Sequence, residues 1–178
     1  MKIIKTLLDD VYVVKSPAFS DQRGGFTKLF HRSIPSLQSY QIEQINFVEN
    51  NDKNTLRGLH YQKESYAESK FFRVLSGKIQ LGFVDLRTEK PDASYSATYI
   101  LDSPDIGVLI PRGFATGYLT LEDNSNVLYY SDNIYKAETE NGIRWNDPLF
   151  NLMWHCDNPK LSKKDQGWSD YTKNNLKI

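Results

Sequence analysis

The chain has 178 residues, and its 22 Lys plus Arg are balanced by 22 Asp plus Glu, so the formal net charge is zero. This length predicts one domain, over 1–178, whose core is large enough to fold without disulfides or a structural metal. Nucleic-acid binding normally needs a basic excess to neutralise phosphates, and the sequence has none. The one cysteine, Cys156, excludes an internal disulfide and a multi-cysteine metal site, and it favours a reducing compartment such as the cytoplasm.

The apolar run at the start of the chain is short, because Asp9 and Asp10 interrupt it. A secretory leader needs a longer apolar stretch, and a membrane-spanning helix needs about 20 apolar residues. We therefore expect neither a leader nor a membrane partner. Aromatic residues make up 13% of the chain, an enrichment that favours β-strands over a helical bundle.

Short segments of alternating or β-branched and aromatic residues recur along the chain, separated by turn residues. They predict strands over 11–14, 26–30, 40–47, 70–75, 78–86, 95–101, 107–110, 118–121 and 127–130, with a turn over 21–25. Helix is predicted only in short pieces, over 33–36, 148–152 and 162–167, the last opened by Ser162 as an N-cap. Many short strands at such spacing indicate an all-β antiparallel sandwich or barrel.

The densest polar cluster on a strand-like segment is TLRGLHYQ, residues 55–62. Arg57 and His60 are predicted to lie near each other across Gly58, which is a candidate for a β-bulge that re-aims side chains. Lys70 follows on the next strand. From spacing alone, the simpler interpretation is that His60 forms a hydrogen bond with a neighbouring residue and that Arg57 is a solvent-exposed side chain at a sheet edge.

A second polar cluster contains Tyr129, Tyr135 and Glu140. A phenol near a base can act as a general acid, because its pKa near 10 keeps it protonated until an anion develops. The alternative is that the tyrosines are cross-strand packing residues. Lys164 and Asp165, considered alone, read as part of a charged surface turn.

Seven segments, in order over nearly the whole chain, resemble the motifs of one family. The segment LRGLHYQ (56–62) resembles the hallmark of the dTDP-4-dehydrorhamnose 3,5-epimerase family. The others are FSDQRG (19–24), QIN (44–46), KFFRVLSG (70–77) with VDLR (84–87), PRGFA (111–115), GIRWNDP (142–148) and LSKKD (161–165). Each match is weak alone, but seven in register are specific.

This resemblance implies a cupin-like jelly roll and an isomerase that needs no cofactor and no metal. The family's substrate is a nucleoside-diphosphate 4-keto-6-deoxy sugar, whose C3 and C5 are inverted in a step of rhamnose and surface-polysaccharide synthesis. Members are homodimers in which the N-terminal strand of one subunit completes the partner's site.

The resemblance also implies roles for individual residues. His60 is the expected base, oriented by Asp165, while Lys70 stabilises the enolate and Tyr129 donates a proton. Tyr135 is expected to stack on the thymine ring. The nucleotide and its diphosphate are expected to contact Arg23, Gln44, Asn46, Arg57, Glu140 and Lys164.

Two positions depart from the family pattern, since Lys28 replaces a usual glutamate and Thr116 replaces a usual histidine. Both family residues contact the nucleotide, so another carrier nucleotide is one alternative and compensated drift is another. Epimerisation at C3 alone, and a non-catalytic cupin that binds a sugar nucleotide, also stay open. A metal-dependent cupin is disfavoured, because the chain has three histidines and Thr116 occupies a position that would supply one.

Overall fold

The computed structural model describes residues 1–31, 40–87 and 91–172, and strands dominate these ranges. The predicted helix over 33–36 lies outside the described residues. In chain order the strands are β1 (Lys2–Thr6), β2 (Tyr12–Lys15), β3 (Ala18–Asp21), β4 (Gly24–Thr27), β5 (Gln44–Asn50), β6 (Leu56–Gln62), β7 (Lys70–Ser76), β8 (Ile79–Asp85), β9 (Ser96–Leu101), β10 (Ile106–Ile110), β11 (Phe114–Thr120), β12 (Ser125–Ser131) and β13 (Glu140–Gly142). Helical structure in these ranges comprises α1 (Lys163–Gln166) and the 3₁₀ turns Glu64–Tyr66, Ala93–Tyr95 and Ala137–Thr139.

The strands form two large antiparallel sheets and one small ribbon. The first sheet has the order β1-β2-β10-β7-β12-β5, and the second has the order β13-β6-β11-β8-β9. The strands β3 and β4 pair only with each other, as a two-stranded ribbon near the start of the chain. Consecutive strands such as β7 and β8 lie in different sheets, so the chain crosses repeatedly between the two layers.

The main core lies between the two large sheets. Phe72 and Val108 of the first sheet belong to the same buried cluster as Leu81, Phe83 and Tyr118 of the second. On its outer face the second sheet carries a further cluster that includes Phe150, with Trp154 packed against it. Both faces of β8 and β11 are therefore covered, and every residue of these two strands is buried. The all-β antiparallel architecture predicted from strand spacing is confirmed.

Two local predictions are wrong. Residues 148–150 form a single turn instead of a helix. The Asp147 carboxylate accepts the Leu149 N–H at 2.8 Å and the Asp147 carbonyl accepts the Asn151 N–H at 3.1 Å, but Asn151 has a φ of +46°, and this left-handed conformation ends the turn after one helical hydrogen bond. The strand predicted over 26–30 ends at Thr27, and the turn before it is tighter than expected, because Asp21 and Gly24 are already paired.

None of the helices in the described ranges is long and apolar enough to cross a membrane.

The base of the β3–β4 ribbon is fastened to the core by Arg73, which is fully buried in β7. Its Nε donates to the Leu29 carbonyl at 2.7 Å, and its two Nη groups donate to the Pro104 carbonyl at 2.9 Å and to the Ser16 hydroxyl at 2.6 Å. Burial lowers the pKa of Arg73 to about 10, so the guanidinium stays charged at neutral pH. Because Ser16 and Leu29 flank the ribbon in sequence, one side chain fixes both of its ends.

Replacing Arg73 with Met should therefore destabilise the protein. The substitution keeps the stem of the side chain but leaves buried acceptors unsatisfied, so we expect the free energy of unfolding in urea to fall by about 2–3 kcal/mol. Arg112→Met removes an arginine whose side chain is half exposed and pairs with Asp132, and it should cost less than about 1 kcal/mol. Equal decreases in the free energy of unfolding of the two variants would contradict the proposed role of Arg73 in holding the ribbon to the core.

Candidate active site

A bulge in β6 turns Arg57 and His60 to the same side of the sheet. His60 pairs with Thr116 of β11 and Arg57 pairs with Tyr118, so two residues of β6 oppose one of β11. Residues three apart on a regular strand point to opposite faces of the sheet. The extra residue in the bulge brings Arg57 and His60 to the same face. Arg57 and His60 line the same cavity, and the bulge predicted at Gly58 is confirmed.

The bulge depends on two glycines that face each other across the strands. Gly58 has a φ of +123°, and a Cβ placed there would lie 2.5 Å from the Gly117 Cα. A Cβ on Gly117 would lie 2.6 Å from the Arg57 carbonyl oxygen. Neither position accepts a side chain, because both contacts are with backbone atoms.

The opposite sheet presents a row of polar side chains toward His60. Tyr129 of β12 lies directly opposite Phe72 of β7 and Asn46 of β5, and residues that pair in this way share a face of the sheet. Two residues along β7 and β5, Lys70 and Gln44 occupy the equivalent positions and both pair with Ser131. The period of two therefore places Lys70, Tyr129, Asn46 and Gln44 on one inner surface.

Residues near the end of the described chain close the site from a third side. The Leu56 N–H donates to the Lys160 carbonyl at 2.9 Å, and the Lys160 N–H donates to the Asn54 carbonyl at 2.7 Å. This pairing brings α1 against β6. Ser162 accepts the Asp165 N–H at 3.0 Å, which confirms Ser162 as the predicted N-cap.

His60 and Asp165, 105 positions apart, meet here as expected from the resemblance. The His60 Nε2 lies 2.5 Å from Asp165 Oδ1, and the His60 ring packs edge-on against Trp168. Burial tends to raise the pKa of Asp165, but the hydrogen bond and charge of His60 and the Ser162 hydroxyl outweigh it and hold the pKa below its ordinary value. The carboxylate is thus an acceptor, so in the neutral form of His60 the hydrogen lies on Nε2 and Nδ1 has the lone pair.

Glu140 joins the other edge of His60 to two further groups. Its Oε1 lies 3.8 Å from His60 Nδ1, while its Oε2 accepts hydrogen bonds from Lys164, at 2.5 Å, and from the Tyr135 hydroxyl. Burial tends to raise the pKa of Glu140, but these two donors and the charge of His60 lower it overall. The hydrogen bond to Glu140 is the main reason that the pKa of Tyr135 is raised.

The phenol of Tyr129 is held in its protonated form. Burial, assisted by the charges of Glu68 and Glu140, raises its pKa to about 12. Lys70 lies beside it on the same surface, with its Nζ 3.1 Å from Glu68 Oε1.

Two adjoining cavities contain most of the predicted site. One of about 540 Å³ is lined by polar residues from both sheets and α1, and another of about 80 Å³ lies next to it. His60, Lys70 and Tyr129 line both cavities, so they form the wall between them. The larger cavity also contains Arg57, Thr116, Lys164 and Asp165, and the smaller contains Gln44, Asn46, Tyr135 and Glu140.

Arg23 and Lys28 are the predicted residues that the structure places elsewhere. Arg23 is at the exposed turn of the β3–β4 ribbon, where it pairs with Asp21 at 2.7 Å, and Lys28 follows the ribbon at the surface. Neither residue lines the two cavities of its own chain.

The sequence analysis missed Glu68 and Trp168. Glu68 precedes β7 in a segment without strand alternation, so only its position two residues before Lys70 could have drawn attention to it. Trp168 packs where Gly142 leaves space, since a Cβ on Gly142 would lie 2.3 Å from the Trp168 ring. That contact joins residues 26 positions apart, which no local pattern reveals.

In the described part of the chain, no group of three or more His, Cys, Asp or Glu side chains is arranged to hold a metal ion.

Comparison with known proteins identifies one family. Residues 5–173 match the family model described as dTDP-4-dehydrorhamnose 3,5-epimerase. The protein of that name from Shigella flexneri is 35% identical over 170 residues, which covers 93% of each chain. The one from Methanothermobacter thermautotrophicus is 32% identical over 181 residues, covering 97% of this chain and 96% of its own.

Solved structures give the same result. The dTDP-4-dehydrorhamnose 3,5-epimerase of Bacillus anthracis, with TDP and PPi bound, superposes with a TM-score of 0.89 at 32% identity, covering 96% of this chain and 99% of its own. The epimerase of Legionella pneumophila, in complex with dTDP-4-keto-L-rhamnose, has a TM-score of 0.86 at 27% identity, covering 98% and 94%. The expected cupin-like jelly roll is confirmed.

The electrostatics of Asp165 predict a pH-dependent stability. Because its pKa is lowered in the folded state, the ionised carboxylate stabilises the protein above its ordinary pKa, and this contribution is lost as the pH falls through the lowered value. Asp165→Asn should reduce the free energy of unfolding by about 1–2 kcal/mol at pH 7. The difference from wild type should shrink below about pH 4. Asp157→Asn, at an exposed position, is the control, and a pH-independent difference for Asp165→Asn would refute the assignment.

Proposed function

Because this chain belongs to the dTDP-4-dehydrorhamnose 3,5-epimerase family, we propose that it converts dTDP-4-dehydro-6-deoxy-D-glucose to dTDP-4-dehydro-L-rhamnose by inverting C3 and C5. The C4 ketone acidifies both neighbouring C–H groups, since the resulting carbanion is delocalised onto the ketone oxygen as an enolate. The reaction requires a base, a cation near that oxygen, and an acid on the opposite face of the ring.

His60 is the base in this proposal. Asp165 keeps the hydrogen on Nε2, so Nδ1 has the lone pair that removes the sugar proton, and Asp165 and Glu140 both stabilise the imidazolium that forms. The Lys70 ammonium faces the developing enolate oxygen. The Tyr129 phenol donates its proton to the opposite face of the carbon, after which Tyr129 and His60 exchange protons with solvent.

One observation carries this assignment. His60 and Tyr129 come from opposite sheets and line the same two cavities. Lys70 also lines both cavities. Such a position allows two groups to approach one ring from opposite faces. The His60 side chain is 27% exposed, so a hexose in the cavity has access to it.

The charged side chains and aromatic rings around the cavities are suited to binding the nucleotide part of the substrate. Arg57 and Lys164 line the larger cavity and are suited to the diphosphate, because guanidinium and ammonium groups bind phosphate oxygens. Tyr135, with its side chain half exposed at the smaller cavity, offers a ring for stacking on the base, and Gln44 and Asn46 offer amide groups beside it. The TDP and PPi bound to the Bacillus anthracis relative and the dTDP-4-keto-L-rhamnose bound to the Legionella pneumophila relative support a dTDP-linked substrate.

We further propose that the protein is a homodimer. Phe19 and Phe26 on the ribbon are 61% and 62% exposed, and Arg23 is exposed at the turn of the ribbon and does not line the cavities of its own chain. A second copy of the chain would cover these rings. Arg23 and Lys28 of the first chain would then reach the active site of the second. Lys28 and Thr116 then face the nucleotide, where they affect the choice of carrier. One domain over 1–178 and a cytoplasmic location complete the proposal.

Exchange with deuterated water tests the chemistry. With the dTDP-linked 4-keto sugar, wild type should incorporate deuterium at both C3 and C5, as followed by NMR. His60→Asn should lower both exchange and epimerisation by about 10²–10⁴-fold, since the general base is lost. Tyr129→Phe should retain exchange better than inversion, because deprotonation at His60 persists.

His155→Asn is the matched control, since His155 is exposed and does not line the cavities, and its rates should stay within about twofold of wild type. Deuterium at C3 alone would identify a 3-epimerase. Turnover only with another nucleoside diphosphate would reassign the carrier. Binding of dTDP without turnover would indicate the non-catalytic cupin.

Mixing two inactive variants tests the shared site. Arg23→Ala impairs the ribbon and His60→Asn impairs the base, so each homodimer should be defective. After dissociation and reassociation in equal amounts, half of the dimers contain one of each chain, and each has one intact site. Activity should recover to about a quarter of wild type. No recovery beyond the sum of the two parents would show that the ribbon serves its own chain.

A further inference from the structure

Lys70 is bound by a carboxylate that the reaction itself does not use. Glu68 Oε1 lies 3.1 Å from Lys70 Nζ, and the side chains of both residues are largely buried, at 9% and 12% exposed. The other oxygen of Glu68 accepts a hydrogen bond from the Ser131 hydroxyl. Glu68, Lys70 and Tyr129 line the smaller cavity together.

The strand register holds this arrangement in place. Ser131, the last residue of β12, is paired with Lys70, the first residue of β7. The segment between Glu68 and Lys70 is tied to the same point, because the Ser69 N–H donates to the Asp132 carboxylate at 2.6 Å. Glu68 therefore has little freedom to move away from the ammonium.

Glu68 acts on both Lys70 and Tyr129, by contact with one and by charge on the other. Its Oε1 contacts the Lys70 ammonium directly, and its negative charge disfavours ionisation of the Tyr129 phenol. Both groups are useful only when protonated, since one stabilises an enolate and the other donates a proton. A deprotonated form of either would end the reaction.

The other charged and titratable groups around Lys70 and Tyr129 have partners of their own. Asp165 of α1 is bound to His60 of β6, and Glu140 of β13 is bound to Lys164 and to Tyr135. Arg57 of β6 acts on Tyr129 in the opposite sense to Glu68, and Tyr118 of β11 acts in the same sense. Glu68 is the carboxylate in direct contact with Lys70.

We propose that Glu68 is a positioning residue that holds the Lys70 ammonium at the wall of the smaller cavity and places a negative charge next to Tyr129, so that it sets the alkaline limit of activity. This inference rests on the proposed epimerase function. It assigns to Glu68 control over the pH range and no contact with the reacting atoms.

The pH profile of kcat/KM tests the inference. Glu68→Gln retains hydrogen-bonding groups for Lys70 and Ser131 but removes the charge, so the alkaline limb should move to lower pH by about one unit or more. At pH 7 the rate should fall by less than about tenfold, because the geometry is retained. Glu64→Gln, in the exposed turn of the same segment, is the matched control and should leave the alkaline limb unchanged.

Two further variants separate charge from structure. Glu68→Asp keeps the charge, so its alkaline limb should stay near that of wild type even if its rate falls. Should Glu68→Gln fail to fold, as judged by thermal unfolding, Glu68→Ser provides a second neutral variant with the same expected shift. An alkaline limb that stays fixed in the folded neutral variant, or that moves equally in Glu68→Asp, would overturn the inference.

These outcomes differ from a failure of the proposed function. Absence of deuterium exchange in the wild-type protein would reject the epimerase reaction itself. A wild-type enzyme that exchanges both positions, with an alkaline limb insensitive to the charge at Glu68, would reject the role of Glu68 alone.

Discussion

The close approach of two backbones, at Gly58 in β6 and Gly117 in β11, is the constraint on which the rest of the site depends. With no Cβ at either position, the strands come close enough for an extra residue to be inserted in β6. The insertion turns Arg57 and His60 to one side, where the diphosphate and the sugar are expected. The proposed phosphate-binding cation and the proposed base are thereby placed three residues apart on one strand, on a face that regular alternation would give to only one of them.

The contact between His60 and Asp165 depends on the segment after residue 159, which packs against β6. Backbone pairing of Leu56 with Lys160 brings the end of the chain to the start of β6, and the Ser162 N-cap then orients the turn that contains Asp165. The carboxylate fixes the hydrogen on Nε2 of the imidazole, which determines which nitrogen has the lone pair. The backbone contacts thus position Asp165, and its carboxylate sets the orientation and the neutral tautomer of His60.

Residue patterns predicted the parts of this structure that depend on local contacts. Alternation and turn residues located most strands, and Gly58 indicated the bulge, because these features depend on neighbours in sequence. The residues Asp165, Tyr129 and Lys70 were assigned through family resemblance, since their meeting with His60 depends on long-range packing. Glu68 was missed although it contacts Lys70 two residues along, because the segment before β7 has no strand alternation that would place its side chain. The helix predicted over 148–152 is reduced to one turn, because Asn151 adopts a left-handed φ of +46° that a right-handed helix cannot continue through.

The distribution of charge around the cavities favours a substrate with a diphosphate. In the described residues, the carboxylates at or near the cavity walls each contact a cation or an imidazole, in the pairs Asp165–His60, Glu140–Lys164, Glu68–Lys70 and Asp52–Lys160. Arg57 is held differently, because its Nε donates to the neutral amide of Asn50 at 2.8 Å. That amide orients the guanidinium without neutralising it, so its charge remains available to an anionic ligand. Under the proposed function, a diphosphate would add its negative charge next to Arg57, which has no carboxylate partner within the described residues, and the attached sugar would then lie toward His60 on the same face of β6.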